Sequence, residues 1–127
     1  MNLEIAPLGI APTAANYAHA ILSAGPHRLL HTSGIAPINS AGLVPDSIED
    51  QAEVVWVNLL AIIHEAKMRV TDIVSLTTYV VASQPIGAAL VARDRALGGH
   101  RAASTLVAVP QLARPEWLIE IALVAAN

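Results

Sequence analysis

A single glutamate interrupts the most apolar run of the chain, Trp117-Leu-Ile-Glu-Ile-Ala-Leu-Val-Ala125, and it is the side chain best suited to chemistry. A carboxylate taken out of water needs hydrogen bonds, a partner charge or a solvent-filled cleft. Strand alternation would set Leu118, Glu120, Ala122 and Val124 on one face. That leaves two placements for Glu120: a cleft that brings ligand and water to it, or the solvent side of a half-covered strand. The remaining candidates are weaker. His19, His27, His31, His64 and His100 are scattered over different segments without the close spacing of a metal motif. His31, just before Ser33-Gly34, is the one that would line a shared cleft. Ser33 and Ser104 lack a Gly-x-Ser-x-Gly elbow, so a serine-hydrolase triad is not supported. Gly98-Gly99 neither follows a strand nor opens a helix, and reads as a helix stop rather than a phosphate cradle.

The elements that must position these residues follow from periodicity and turn chemistry. Leu3 to Ile5, Tyr17 to Ser23 and Arg28 to Ser33 read as extended segments, with Gly25-Pro26 as a break and Ser33-Gly34 as an exit loop; together they suggest a hairpin. Pro45-Asp-Ser-Ile-Glu-Asp opens a helix capped by Asp46 or Ser47. Val55, Leu59, Ile62, Ile63 and Ala66 continue it to about Lys67 or Arg69. Ile73 to Val81 is a β-branched strand, and Pro85 starts a second helix that runs to Leu97. Ala103 to Val109 and Trp117 to Ala125 are the last strands. The fold class is therefore α+β, in the order β-β-β-α-β-α-β-β, with a mixed sheet and both helices on one face. The other sheet face lacks cover within the chain, which predicts self-association.

Composition narrows the function. A chain of 127 residues is expected to form one domain, residues 1–127, with a real core. With 54% hydrophobic and 13% charged residues, it is apolar for a small monomer, and an oligomer would hide part of that surface. The net charge of -3 and a single lysine, Lys67, leave no basic stripe, so general nucleic-acid binding is disfavoured. Ribonuclease chemistry is disfavoured on the same ground. The absence of cysteine removes disulfides, thiol nucleophiles and zinc-cysteine sites together. No membrane-spanning run or targeting segment is evident, so a cytoplasmic protein is expected.

Ala11-Pro12, Tyr17, Thr32-Ser-Gly34, Gln51, Asn58, Asp72-Ile-Val, Thr77-Thr-Tyr-Val, Leu112-Ala-Arg-Pro and Glu120-Ile, in this order, resemble the YjgF/RidA family of reactive-intermediate deaminases. The resemblance implies a chorismate-mutase-like fold and a homotrimer with clefts between neighbouring subunits. It also implies hydrolysis, without a cofactor, of short-lived enamine or imine acids to 2-keto acids and ammonia. Glu120 matches the family's water-positioning glutamate, Tyr17 its cleft tyrosine, and Ser33-Gly34 its binding loop. The family arginine that binds the substrate carboxylate falls instead on Ser104 or Thr105. A hydroxyl cannot reproduce the guanidinium fork, so simple 2-imino acids are expected to be poor substrates. Arg101, just outside the strand, is the candidate to reach back into the cleft. Two functions follow: an imine or related small-molecule hydrolase, or a non-catalytic trimeric protein that binds a small, carboxylic or imino acid ligand.

Overall fold

The computed structural model describes residues 1–9, 12–25 and 27–127. The expectations on Ala11 and on Pro26 lie outside them. Along the chain run β1 (Asn2–Ile5), β2 (Ala20–Ser23), β3 (Leu29–His31), α1 (Ile48–Glu65), β4 (Ile73–Val81), α2 (Ile86–Leu97), β5 (Ala103–Val109) and β6 (Ile119–Ala126). This is the order expected from the sequence.

Local chemistry explains most boundaries. Ser47 caps α1 by accepting the Asp50 N–H at 3.2 Å, and Glu49 and Asp50 stand in the first turn, where free amides favour them. The helix closes when Lys67 takes a left-handed backbone, φ 58°, and Met68 N–H returns to the Ile63 carbonyl. Its end is thus slightly earlier than the periodicity suggests. Pro85 precedes α2, and Gly98 at φ 57° ends it.

Strands β3, β6, β4 and β5 lie side by side in that order, with β4 and β5 parallel and the other pairs antiparallel. Ile119, Ile121, Leu123 and Ala125 of β6, with Ile73, Leu76 and Val80 of β4, are buried in one cluster with Ala52, Val55, Leu59 and Ile63 of α1. Each such large side chain stabilises the fold by about 1.5–3 kcal/mol relative to exposure. The alternate residues form the opposite face: Ser75, Thr77 and Tyr79 on β4 and Glu120, Ala122 and Val124 on β6 are half-buried, while Thr105 and Val107 on β5 are exposed.

The amino-terminal segments depart from expectation. β2 does not form a hairpin with β3. It pairs antiparallel with β1 in a separate two-stranded sheet, and β3 joins β6 instead. The small sheet is tied to the large one by Asn2 Nδ2, which donates to the Ala126 carbonyl, and by a parallel bridge between Ala18 and Ala103. The Ala18 N–H donates to the Ala102 carbonyl at 2.9 Å, so the segment leading into β2 runs beside the start of β5.

Buried Gln51 fixes the entry to β6. Its Nε2 donates to the carbonyls of Pro45 (2.8 Å) and Glu116 (2.9 Å), and its Oε1 accepts the Leu118 N–H at 2.8 Å. β6 therefore begins at Ile119 rather than at Trp117. One side chain aligns the start of α1 with the strand that carries Glu120.

Candidate functional site

The geometry around Glu120 begins with an irregularity in β3. His31 stands opposite Val124, but the next bridge pairs Ile35 with Ile121 rather than with Glu120. The outer segment thus carries one residue more than β6 over the same stretch, which is a β-bulge. Thr32 holds its near side: its N–H donates to the Leu123 carbonyl, and its Oγ1 accepts the Leu123 N–H, both at 3.0 Å. Ile35 N–H closes the far side on the Ile121 carbonyl at 2.8 Å. Ser33 and Gly34, between them, are exposed.

Gly34 lies against the Glu120 side chain. A Cβ there would stand 2.8 Å from Cδ of Glu120 and closer still to Oε2, so any larger residue forces the carboxylate away. Glu120 itself is half-buried on the open face, level with Tyr79. Among the described residues it makes no ion pair. It is thus a half-buried carboxylate on the open sheet face, with the bulge against one side.

The other sequence-predicted residues gather along β5. Ala18 bridges to Ala103, so Tyr17 lies at the start of that strand; its Oη accepts the Ala14 N–H at 3.3 Å. Arg101 Nη2 donates to the Tyr17 carbonyl at 2.7 Å and pairs with Glu4 at 3.2 Å. Val107 is the β5 residue level with Tyr79 and Glu120, and Arg101 lies roughly 20 Å back along the strand from it. Thr105 faces the open side. Ser104 faces the helices and accepts a hydrogen bond from Arg93 Nη1 at 3.3 Å.

One chain therefore holds two groups: Ser33, Gly34 and Glu120 at the β3–β6 side, and Tyr17, Arg101 and Thr105 along the β5 edge, with Ser104 turned to the helices. With β6 and β4 between the outer strands β3 and β5, these edges are about 14 Å apart. The fold does not bring the two clusters together within a chain.

Sequence reasoning missed Arg93, although a signal was present: it falls four residues after Ala89 and four before Leu97, on the buried stripe of α2. It also left Gln51 without a role. His100 is accounted for by its Nε2 contact with the Ile73 carbonyl at 2.7 Å, and the described residues contain no cluster of three or more metal-ligating side chains. An open groove of about 420 Å³ between α1 and α2 includes Glu49, Asp50 and Arg95, but it lies on the helical side, away from Glu120. Among the described residues no helix is long and apolar enough to cross a membrane.

This fold and these motifs define a class of protein. The chain matches the family model Endoribonuclease L-PSP over residues 9–127 and belongs to the YjgF/RidA family. YyfB of Yersinia pestis, a protein of unknown function of the Rid family, is 29% identical over 99% of this chain and 98% of its own, with a TM-score of 0.87. A Thermotoga maritima protein is 30% identical over 96% of this chain and 91% of its own, with a TM-score of 0.73. Escherichia coli TdcF, solved with bound serine, shares the fold at 24% identity and a TM-score of 0.73, over 96% of this chain and 93% of its own. The curated proteins hold no significant match.

Proposed function

We propose that the protein hydrolyses small imines or enamines, and that it does so as a homotrimer in clefts where the β3–β6 side of one subunit meets the β5 edge of the next. Glu120 accepts a proton from water, and the water oxygen bonds to the imine carbon. With the imine nitrogen already protonated, this gives a neutral carbinolamine; Glu120 then passes its proton to the nitrogen, and the C–N bond breaks as the hydroxyl becomes the carbonyl and releases its proton, so that ammonia and the carbonyl product leave and Glu120 is back in its starting state. The backbone amides at Ser33 and Gly34 and the hydroxyl of Thr105, on the open face, bind the polar ends of the substrate, and Tyr17 closes the cleft; Ser104, turned to the helices, supports the strand. No cofactor is required for this sequence of steps.

One observation carries the proposal: a bulge holds Gly34 against a carboxylate on an otherwise apolar strand face. A bulge beside a charged group re-aims backbone and side chain together, an arrangement typical of active-site rims. The open sheet face and the low fraction of charged residues support the assembly. The bound serine of TdcF supports a ligand of amino-acid size on this fold.

A coupled assay that generates 2-aminoacrylate and larger imines in situ tests this function. Faster ammonia release with wild type than with Glu120→Gln is the expected result; equal rates in both would overturn it. The second reading is a trimeric binding protein without catalysis. It is favoured by the hydroxyl residues Ser104 and Thr105 where the resemblance leads one to expect an arginine, and it predicts ligand binding with no turnover in either variant.

A further inference from the structure

We propose that the groove between α1 and α2 docks a basic amphipathic helix of a partner protein. The groove lies on the helical side of the sheet, so the inference stands apart from the hydrolase reading. The assembly proposed above uses the opposite face and leaves this one uncovered.

The two helices run side by side in the same direction. Glu49 and Asp50 share one end of the groove with Gly87 and Ala88, and Val57 and Leu60 share the other with Ala96. The floor is Ala88, Ala92 and Ala96, which recur at helical spacing and pack against the core. Side chains this small let a third helix come close. The α1 wall is Glu49, Glu53, Val57 and Leu60, again at helical spacing. It runs for about 16 Å, roughly three helical turns.

The outward side of a helix is ordinarily polar, yet Val57 is 63% exposed and Val91 58%, and both line the groove. Trp56 lines its apolar end. That side chain is 3% exposed, and its Nε1 is buried without an acceptor among the described residues. The chain thus leaves both apolar surface and a costly unpaired donor at the same place.

Charge selects the occupant. Glu49, Asp50 and Glu53 face one cation among the described lining residues, Arg95, which bridges to Glu53. The dipole of α1 accounts for Glu49 and Asp50 in its first turn, but Glu53 lies beyond it. An occupant complementary to this surface brings basic side chains to the Glu49 end and apolar ones to the Val57 end. Neither helix of a second copy can supply them. α1 carries no lysine or arginine, and the two arginines of α2 are Arg93, which is buried, and Arg95, which already lines the groove.

The probe is a capped, dye-labelled peptide of about four helical turns, with leucine and alanine along one face and lysines flanking it. Its control carries glutamate for every lysine. In anisotropy titrations against the intact assembly, the lysine peptide should bind about tenfold tighter than the control or better. Glu49→Lys and Val57→Ser, both at exposed positions that the fold does not depend on, should each weaken it by about fivefold or more. Glu65→Lys makes the same charge change on α1 outside the groove and should leave the affinity within about twofold. Equal losses in Glu49→Lys and Glu65→Lys would reveal a diffuse attraction to an acidic protein and overturn the proposal. Unchanged affinity in Val57→Ser, or no binding of the lysine peptide to wild type, would overturn it as well. Spermine that binds as tightly and displaces the peptide would assign the groove to a small polycation instead of a helix.

Discussion

The two sides of the four-stranded sheet are built by opposite means. At the β3–β6 side a charged group is held by shape: Gly34 leaves no room for a side chain, and Glu120 fills the space without an ion pair among the described residues. At the β5 edge a charged group is held by charge: Arg93 is buried against Asp94 and Ser104. The first sets a carboxylate against bare backbone, whereas the second satisfies a buried guanidinium with a neighbouring carboxylate and a hydroxyl. Under the proposed function neither side is a complete site, and the distance between them is why a single chain would do little alone.

The comparison can be broken first at Glu120. Glu120→Gln keeps the shape and removes the base, so ammonia release from imines should fall by about a hundredfold or more, within the range of general-base contributions, with the melting temperature nearly unchanged. Gly34→Ala attacks the shape instead. Its Cβ must push the carboxylate off the bulge, so turnover should drop by at least about tenfold while Glu120 remains chemically intact. A Gly34→Ala variant with wild-type kcat/KM would show that the contact does not position Glu120.

Gln51→Leu probes the support rather than the site. It strands the Leu118 N–H and the carbonyls of Pro45 and Glu116 in a buried setting, and should cost about 2–4 kcal/mol in chemical denaturation. The smallest effect should come from Arg95→Ala on the outer helical face. Its partner Glu53 is more than half exposed, as is Arg95, so the change should stay within about 0.5 kcal/mol. A larger loss would mean that the α1–α2 groove contributes more than a solvated pair.

How far the sequence reached can be judged residue by residue. β4 and β5 are where the apolar and β-branched runs set them, because each is bounded by a turn or helix whose chemistry is local. The helix caps at Ser47 and Gly98 were legible for the same reason. The partner of β2 was not, since strand pairing depends on contacts distant in sequence, and nothing near Gly25 distinguishes pairing with β1 from pairing with β3. Glu120 stood out because a charge breaks an apolar alternation. The bulge that seats it is a register shift between remote segments and leaves no local mark. Arg93 was overlooked because arginine in a helix ordinarily faces water, though its spacing from Ala89 and Leu97 put it on the inner stripe.

The most direct test of the two-sided site is complementation between subunits. Glu120→Gln and Thr105→Glu, which sets a second carboxylate where the polar end of the substrate binds, should each be inactive alone; they would be unfolded and refolded together, and imine hydrolysis by the mixed assemblies would be measured. If each cleft takes Glu120 from one subunit and Thr105 from its neighbour, random mixing in equal amounts should restore roughly one quarter of the clefts, and activity should return to that fraction of wild type. Confirmed mixing of subunits with no return of activity would contradict a site shared between chains.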